Sequence, residues 1–420
     1  MKKILAGIHA VTKTRTIKDT VVVTIGLGLS TLLSAAYIFL LARILGPADF
    51  GLYSTALALA VIVIDSFDLA INNSIVKFAS QKKDNSDGFV KYGFFLKLIL
   101  GIGLTIAFAL ISQPLAGLLH PQLKKPLLLA SLVILANFLY RFPRSLLQAK
   151  KKFFKDSLLE VSGGFFRLTS VALFYWLFKL TALTAIVVYI FGASASFIIG
   201  AFFISWKFLS ADINKKIKHD FFSFQKWLTI AFIIAAIHAR IDSALLLNLK
   251  GPEITGIYQA GYRFFMPVIQ FAAVLSLIFA PRFASFSDNQ QTRTYLLKAA
   301  KLTLVLSVLV LLIIPLAPWL IKLIFGIKYL QAILPTQILS LGFAAFIAGS
   351  PFVSHLIYST ARTKLFFLIN LIQLILIITL DLLLIPSLGA VGAALAVSVS
   401  LVIINILIAG LALNYQPKQI

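Results

Sequence analysis

The 420-residue sequence contains no cysteine and little charge. The lack of cysteine excludes disulfides, thiolate metal sites and a cysteine nucleophile, and it leaves the redox compartment undetermined. Charged residues make up 12% of the chain and hydrophobic residues 60%, against roughly 45 to 50% apolar residues in a soluble domain. This excess of apolar residues predicts that most of the chain faces lipid rather than water.

Sequence motifs for catalysis and nucleotide binding are also absent. The chain has no phosphate-binding Gly-x-x-x-x-Gly-Lys-Ser/Thr loop, no Gly-x-Ser-x-Gly elbow and no His-Glu-x-x-His pair. We therefore expect no enzymatic activity and no cofactor. Any transport has to draw on an ion gradient or on the gradient of its substrate.

The hydrophobic residues fall into blocks long enough to cross the roughly 30 Å hydrocarbon core as helices. Lipid-exposed backbone must satisfy its own hydrogen bonds, and blocks of this length exclude barrel strands. We therefore predict an all-α polytopic membrane protein with twelve transmembrane helices. The predicted spans are 20–43, 52–73, 92–113, 126–147, 157–178, 182–206, 227–249, 255–280, 299–325, 332–358, 365–385 and 389–413.

Positive charge is distributed unevenly between the two sides of these spans. Of the 38 Lys and Arg residues, 28 fall on one side and 7 on the other. Because short cytoplasmic loops collect Lys and Arg, both termini are predicted to be cytoplasmic. The net charge of +24 does not require a nucleic-acid partner, because the basic residues are dispersed over many loops rather than gathered in one domain. We expect no nucleic-acid partner.

A polar stretch after span six divides the predicted spans into two sets of six. The predicted organisation is a cytoplasmic N-terminal segment (1–19), an N-lobe with spans one to six (20–206), a cytoplasmic linker (207–224), a C-lobe with spans seven to twelve (225–413) and a cytoplasmic tail (414–420).

An internal repeat supports this division. The segment 46–53, Gly-Pro-Ala-Asp-Phe-Gly-Leu-Tyr, recurs at 251–258 as Gly-Pro-Glu-Ile-Thr-Gly-Ile-Tyr, in each case in the outer loop after the first span of its half. Convergent turn chemistry is the alternative to duplication, because Gly-Pro favours a tight turn and Tyr suits the membrane interface. Duplicated halves with six spans each would be parallel repeats, related by an axis along the membrane normal.

Further patches carry a resemblance to a known family. They are 42–53, 68–73 (Asp-Leu-Ala-Ile-Asn-Asn), 240–242 (Arg-Ile-Asp), 256–260 (Gly-Ile-Tyr-Gln-Ala) and 385–394 (Ile-Pro-Ser-Leu-Gly-Ala-Val-Gly-Ala-Ala). Together they resemble the polysaccharide (O-antigen) flippase family, the lipid-linked oligosaccharide translocases that are related to MATE multidrug exporters within the MOP superfamily.

The resemblance implies two six-helix lobes around a central cavity and transport by alternating access. The implied substrate is a polyprenyl-diphosphate-linked oligosaccharide, moved from the inner to the outer leaflet of the cytoplasmic membrane for cell-surface polysaccharide biosynthesis. The implied partners are this lipid, other membrane lipids and other polysaccharide-assembly proteins. The coupling ion, H⁺ or Na⁺, is left open.

Three arginines lie near the middle of predicted spans: Arg167 in span five, Arg240 in span seven and Arg263 in span eight. An ionisable group in a span costs roughly 2.5 to 3.5 kcal/mol on insertion scales and usually faces a bundle interior or an aqueous cavity. The planar guanidinium matches phosphate oxygens, which makes these arginines the candidates for binding the substrate diphosphate. The alternative is that each arginine pairs with a neighbouring acid and locks two helices together.

The candidate ion-coupling residues are Asp68, Glu160, His238 and Asp242. Asp68 shares a helical face with Asp65 and Asn72, while Glu160 shares one with Arg167. His238 and Asp242, four residues apart on one predicted helix, favour a proton relay. The alternatives are a packing role for His238 and an interfacial position for Asp65 or Glu160.

Pro267 and Pro351 are the candidate hinges, because apolar sequence continues on both sides of each proline.

Two related functions stay open: a MATE-type cation-coupled exporter of drugs or toxins, and a peptidoglycan lipid-precursor flippase. The mid-span arginines disfavour cationic substrates, and the precursor flippases that resemble this family typically carry two additional helices. A membrane glycosyltransferase would need a sizeable outer loop, whereas the predicted outer loops are short.

Overall fold

The computed structural model describes residues 15–81, 86–177, 179–286, 288–359 and 363–414. Over these ranges the chain is helical and has no strand, which confirms the predicted all-α class. The α-helices are α1 (Arg15–Ser80), α2 (Ser86–Leu119), α3 (Lys124–Ala149), α4 (Phe153–Leu177), α5 (Ala182–Phe203), α6 (Lys215–His238), α7 (Ile241–Tyr262), α8 (Met266–Ser285), α9 (Asn289–Leu311), α10 (Ile313–Ile324), α11 (Ile333–Tyr358), α12 (Thr363–Leu388) and α13 (Ala390–Asn414). Short 3₁₀ helices lie at Pro121–Leu123, Trp206–Ser210, Arg263–Phe265 and Ile327–Ala332.

Ten helical stretches of the described chain are long and apolar enough to cross a membrane, judged by length and composition. Two of them far exceed the roughly 20 residues that one crossing needs. Val22–Ser80 has 59 residues and Lys215–Ala280 has 66. Each of these stretches is therefore long enough for two crossings.

The repeated Gly-Pro pair interrupts both long stretches in the same way. Gly46 has φ 74° and ψ 172°, and Gly251 has φ 79° and ψ 178°. This region of backbone conformation is open essentially only to glycine. The proline that follows each glycine has no N–H for the helical ladder. The repeat therefore places a matched kink inside α1 and inside α7.

A further interruption separates α6 from α7. Helix α6 ends at His238 and α7 begins at Ile241, with Arg240 between them at φ −146° and ψ −3°. The path from α7 to α8 runs through the 3₁₀ turn Arg263–Phe265, after which Pro267 lies in the first turn of α8. A first-turn proline costs no helical hydrogen bond, because its missing N–H would have no partner there.

The described chain forms two compact units. The first takes the chain up to Leu41 together with Leu59–Ala236, and the second takes Ala42–Ala58 together with the chain from Ile237 onward. The predicted division into lobes and linker stays a prediction. Most of the predicted N-terminal segment (1–14 of 1–19) and of the tail (415–420 of 414–420) lies outside the described residues.

Aromatic packing ties residues 206–221 to the first unit. The buried Phe208 ring lies 5.6 Å from Phe142, which in turn lies 4.8 Å from Phe94. The buried Phe221 stacks on Phe78 at 6.1 Å. Rings at such separations add to the stabilisation that burial alone provides.

Small residues bring helices of the second unit together. Side-chain atoms at Gly342 and Gly349 of α11 would overlap Ser398 and Asn405 of α13, respectively. Ser398 Oγ also donates to the Ile338 carbonyl oxygen at 2.8 Å. Close approach over glycine and serine is the usual way in which membrane helices pack, because lipid gives no hydrophobic incentive for association.

Candidate functional site

The most deeply buried charges of the first unit surround Asp68 on α1. Lys97 Nζ, from α2, donates to Asp68 Oδ1 at 2.6 Å and to the Phe138 carbonyl oxygen at 3.0 Å. The Lys97 and Asp68 side chains are 1% and 0% exposed. Asn72 Nδ2, one turn along α1, donates to Asp68 Oδ2 at 2.7 Å, as the i, i+4 spacing predicts. Asp68 is thus a paired and fully hydrogen-bonded carboxylate.

Arg141 on α3 connects this pair to a second acid. Its Nη1 lies 3.0 Å from Asp65 Oδ1 and 3.6 Å from Asp68 Oδ2. The two acids lie three residues apart on one face of α1, so a single guanidinium reaches both. We call Asp65, Asp68, Lys97 and Arg141 the α1–α3 network.

A second ion-pair network joins α3 to α4. Arg144 donates from Nε to Asp156 Oδ1 at 2.8 Å and from Nη2 to Glu160 Oε2 at 2.9 Å. Gln148 Nε2 donates to the other Asp156 oxygen at 2.8 Å. Glu160 is therefore held by Arg144, which it shares with Asp156.

Sequence reasoning missed the structural role of Lys97, Arg141 and Arg144, which it counted among the cytoplasmic positive charges. The structure places them within α2 and α3, in ion pairs with acids on α1 and α4. The three-residue spacing of the two arginines was the available signal. Their partners lie on other helices, so the pairing depends on which helices pack together.

Arg167 on α4 is oriented by neutral groups of three helices. Its Nε donates to the Gly163 carbonyl oxygen at 2.9 Å. The guanidinium carbon lies 5.7 Å from the Tyr37 ring and 5.2 Å from the Tyr189 ring. A side chain at Gly192 would overlap the aliphatic part of Arg167, so this glycine makes room for the arginine. Cation–π contacts of this kind stabilise a half-buried charge.

In the second unit, Asp242 lies in the first turn of α7, where the helix dipole favours a carboxylate. It is buried and accepts hydrogen bonds from the Tyr258 hydroxyl and from the Ser243 backbone N–H, the latter at 2.7 Å. Ser243 Oγ lies 3.3 Å from Asp242 Oδ1, the oxygen that accepts from the Ser243 N–H, and it accepts a hydrogen bond from Gln259 Nε2. The Asp242 carboxylate is thus held rigidly.

Asp381 on α12 was not singled out from the sequence. Its side chain is 0% exposed, and within the described part of the chain neither carboxylate oxygen has a hydrogen-bond partner. It lies close enough to Asp242 and Tyr258 to interact with them electrostatically. A buried carboxylate without hydrogen bonds is costly when ionised, so it calls for a proton or a bound cation. Its position within a predicted span was the signal that could have identified it.

The two arginine candidates of the second unit lie near this acidic pair of Asp242 and Asp381. Arg240 interacts electrostatically with Asp242 and with Tyr262, and Arg263 also interacts with Tyr262. Both arginines are half-buried and lie where regular helix is interrupted. The structure therefore brings opposite charges together around Tyr262.

The predicted alignment of His238 and Asp242 on one helix is wrong, because α6 ends at His238 and the backbone at Arg240 is not helical. Among the described residues, the buried His238 Nε2 has no hydrogen-bond partner.

Of the two candidate hinges, Pro267 is an N-terminal residue of α8, and Pro351 is buried inside α11. Their role as hinges stays a prediction.

Over the described residues, membrane-length helices with charged groups inside them give the architecture of a polytopic membrane protein. Solved structures share this fold. A lipid II flippase MurJ in an inward closed conformation superposes with a TM-score of 0.77 at 18% identity, covering 94% of this chain and 88% of that chain. An inward-facing MATE family multidrug resistance transporter of the MOP superfamily also gives 0.77, at 13% identity over 91% and 93% of the chains.

The family model described as polysaccharide biosynthesis protein matches residues 40–334, and the chain belongs to this family. Curated relatives agree. The lipopolysaccharide biosynthesis protein WzxC of Escherichia coli (strain K12) is 25% identical over 89% of this chain and 75% of its own length. A putative O-antigen transporter of Shigella flexneri is 23% identical over 92% of this chain and 95% of its own length. The family resemblance found in the sequence is confirmed.

Proposed function

We propose that this protein is a flippase that moves a polyprenyl-diphosphate-linked oligosaccharide from the inner to the outer leaflet of the cytoplasmic membrane. The observation that carries the proposal is a set of half-buried arginines and buried acids within the apolar helices of a polysaccharide biosynthesis family member. One curated relative is a putative O-antigen transporter, which supports transport rather than enzymatic activity. The proposed mechanism is alternating access.

The helix lengths support twelve crossings. Ten membrane-length stretches become twelve when the two longest are divided at Gly46 and Gly251. An even number of crossings puts both termini on one side, and the charge bias assigns that side to the cytoplasm. The polyprenyl-diphosphate-linked oligosaccharide then enters from the inner, cytoplasmic leaflet.

Arg167 of the first unit and Arg240 and Arg263 of the second are the proposed ligands of the diphosphate. Arg141 and Arg144 are poorer candidates, because each is already held by two carboxylates. Arg167 donates to the Gly163 carbonyl oxygen and lies against the Tyr37 and Tyr189 rings, and it is half-buried within a predicted span.

The acidic pair of Asp242 and Asp381 is the proposed ion-coupling site. Asp68 is bound to Lys97 in a sealed pair, so a cation would have to displace a protein cation there, and Glu160 is bound to Arg144. Asp381, by contrast, has carboxylate oxygens without a hydrogen-bond partner among the described residues. Protonation, or one Na⁺ shared with Asp242, removes the cost of its buried charge.

The test replaces Arg167, Arg240 and Arg263 with glutamine together and measures surface glycan in cells that depend on this chain. We expect export to be abolished while the purified variant stays monodisperse. The matched control is a triple glutamine variant of exposed cations on α9, Arg293, Lys298 and Lys301. Normal export by the first variant would refute the arginine assignment.

A MATE-type exporter of cations is the second candidate, because a MATE transporter superposes as well as the flippase does. Half-buried arginines disfavour a cationic substrate. Uptake of a cationic dye into inverted vesicles discriminates between the two functions: the proposal expects no transport above that of empty vesicles, and gradient-driven uptake would favour the exporter.

A further inference from the structure

The two copies of the internal repeat pack directly against each other. A methyl group added at Gly51 would overlap the carbonyl oxygen of Pro252, and one added at Gly256 would overlap the carbonyl oxygen of Pro47. In each copy the glycine that follows Gly-Pro by four residues thus meets the proline carbonyl of the other copy. The contact is reciprocal, and only glycine fits at either position.

The matched kinks explain this symmetry. Gly46 and Gly251 adopt nearly the same dihedral angles, so Pro47 and Pro252 leave their kinks in equivalent orientations. Each proline begins a helical segment whose fifth residue is the contacting glycine. The proline carbonyl oxygen of each copy therefore lies over the glycine of the other copy. We call this reciprocal contact the glycine clasp.

The first copy reaches the clasp as a strap, residues 42–58, which belongs to the second unit although the chain on both sides of it belongs to the first. Its start is held by the Tyr329 hydroxyl, which donates to the Ala42 carbonyl oxygen at 2.7 Å, and by Arg43 Nη1, which donates to the Leu323 carbonyl oxygen at 3.1 Å. The strap contains Pro47 and Gly51, so it cannot detach from the rest of the second unit unless the glycine clasp separates.

Two hydroxyl groups lie on the buried surface of the strap. Ser54 and Thr55 are buried, yet their hydroxyl oxygens have no hydrogen-bond partner among the residues described. Each unsatisfied hydroxyl lowers the stability of the docked state. Against this cost, the strap is held by close packing at the two glycines, by the buried Phe50, whose ring lies 6.4 Å from Tyr329, and by the hydrogen bonds at its start.

The clasp is also linked to the acidic pair. Gly256 lies two residues before Tyr258, whose hydroxyl donates to Asp242. Asp242 interacts in turn with Asp381. A cation bound at these acids would compete with the Tyr258 hydroxyl for the Asp242 carboxylate. Loss of that hydrogen bond would free the helical turn that carries both Tyr258 and Gly256.

We propose that the glycine clasp is a releasable latch: it docks the strap in this conformation and parts once in each transport cycle, under the control of Asp242 through Tyr258. The inference rests on the proposed transport cycle. Its first test, however, is independent of any substrate.

That test uses the natural absence of cysteine. A single Ser54→Cys reporter, at a position 2% exposed, is labelled with a polar maleimide in purified protein. With the clasp intact we expect slow labelling. Gly51→Ala and Gly256→Ala should each speed labelling by about tenfold or more, because one methyl group is forced into a packed contact. Gly103→Ala and Gly117→Ala are the matched controls, since nothing lies within 4 Å of either position.

Tyr258→Phe keeps the ring, removes only the hydroxyl, and should also speed labelling. This variant decides the question if the alanine variants do not fold. Monodisperse Gly51→Ala, Gly256→Ala and Tyr258→Phe proteins that label as slowly as the controls would overturn the latch.

A second test joins the strap to the second unit by a removable bond. Arg43→Cys and Leu323→Cys replace a hydrogen-bonded pair and are linked with a bis-methanethiosulfonate reagent about as long as an arginine side chain. We expect leaflet transfer to stop on cross-linking and to return on reduction, while a monofunctional reagent leaves transfer unchanged. Full transfer by cross-linked protein would refute the release step. Absence of transfer before cross-linking would instead count against the proposed function, and the labelling result would still decide the latch.

Discussion

Replacing Lys97 with methionine removes the cation closest to Asp68 and leaves a buried carboxylate without its shortest hydrogen bond. Lys97 Nζ lies 2.6 Å from Asp68 Oδ1, and both side chains are sealed from solvent. Breaking a buried ion pair by removing one partner typically costs about 3 to 5 kcal/mol. Asp68 keeps Asn72 at 2.7 Å and Arg141 at 3.6 Å, so we expect a loss at the lower end, about 3 kcal/mol.

The assay is unfolding in mixed micelles with increasing sodium dodecyl sulfate, which gives differences in unfolding free energy. Asp68→Asn and the double variant complete a mutant cycle, in which the double variant should be more stable than the sum of the single losses by about 2 kcal/mol. Lys298→Met makes the same change at an exposed position and should stay within about 0.5 kcal/mol of the original protein. A Lys97→Met loss as small as that control would refute the view of Asp68 as a structural acid.

Asp381→Asn removes a buried charge without hydrogen bonds, so it should not lower the unfolding free energy, but it should make leaflet transfer insensitive to a pH or sodium gradient; a gradient response equal to that of the original protein would contradict it. Arg144→Gln leaves Asp156 and Glu160 without their cation and should lower the unfolding free energy by about 1 to 3 kcal/mol in the same micelle assay, less than a sealed pair because these side chains are partly exposed. Gly349→Ala, which would overlap Asn405, should cost about 1 to 3 kcal/mol, whereas Gly410→Ala, with nothing within 4 Å, should be neutral; equal effects would count against close packing of α11 on α13.

Much of the fold follows from the sequence, because apolar blocks of membrane length leave few structures open to a chain in lipid. The Gly-Pro repeat also predicts a turn at Gly46 and at Gly251, where the structure has its two matched kinks. The break at Ala239-Arg240 carries no glycine or proline, so no local signal announces it. That missing signal is why the alignment of His238 with Asp242 was wrong.

The candidate site was less predictable, because its chemistry depends on contacts between helices. Arg141 and Arg144 lie towards the end of the predicted span 126–147, and only the packing of α3 against α1 and α4 shows which acids they meet. Asp381 was visible as an acid within a span, but its lack of hydrogen bonds and its proximity to Asp242 are properties of the fold. The reciprocal contact of Gly51 and Gly256 likewise required coordinates, although the repeat itself was plain in the sequence.

The most direct measurement reconstitutes the purified protein in vesicles that contain a fluorescent polyprenyl-diphosphate sugar and follows the fraction of label that reaches the opposite leaflet. We expect transfer above that of protein-free vesicles, and we expect it to be lost when Arg167, Arg240 and Arg263 are replaced by glutamine. Transfer that never exceeds the protein-free rate, with or without a pH or sodium gradient, would contradict the proposed function.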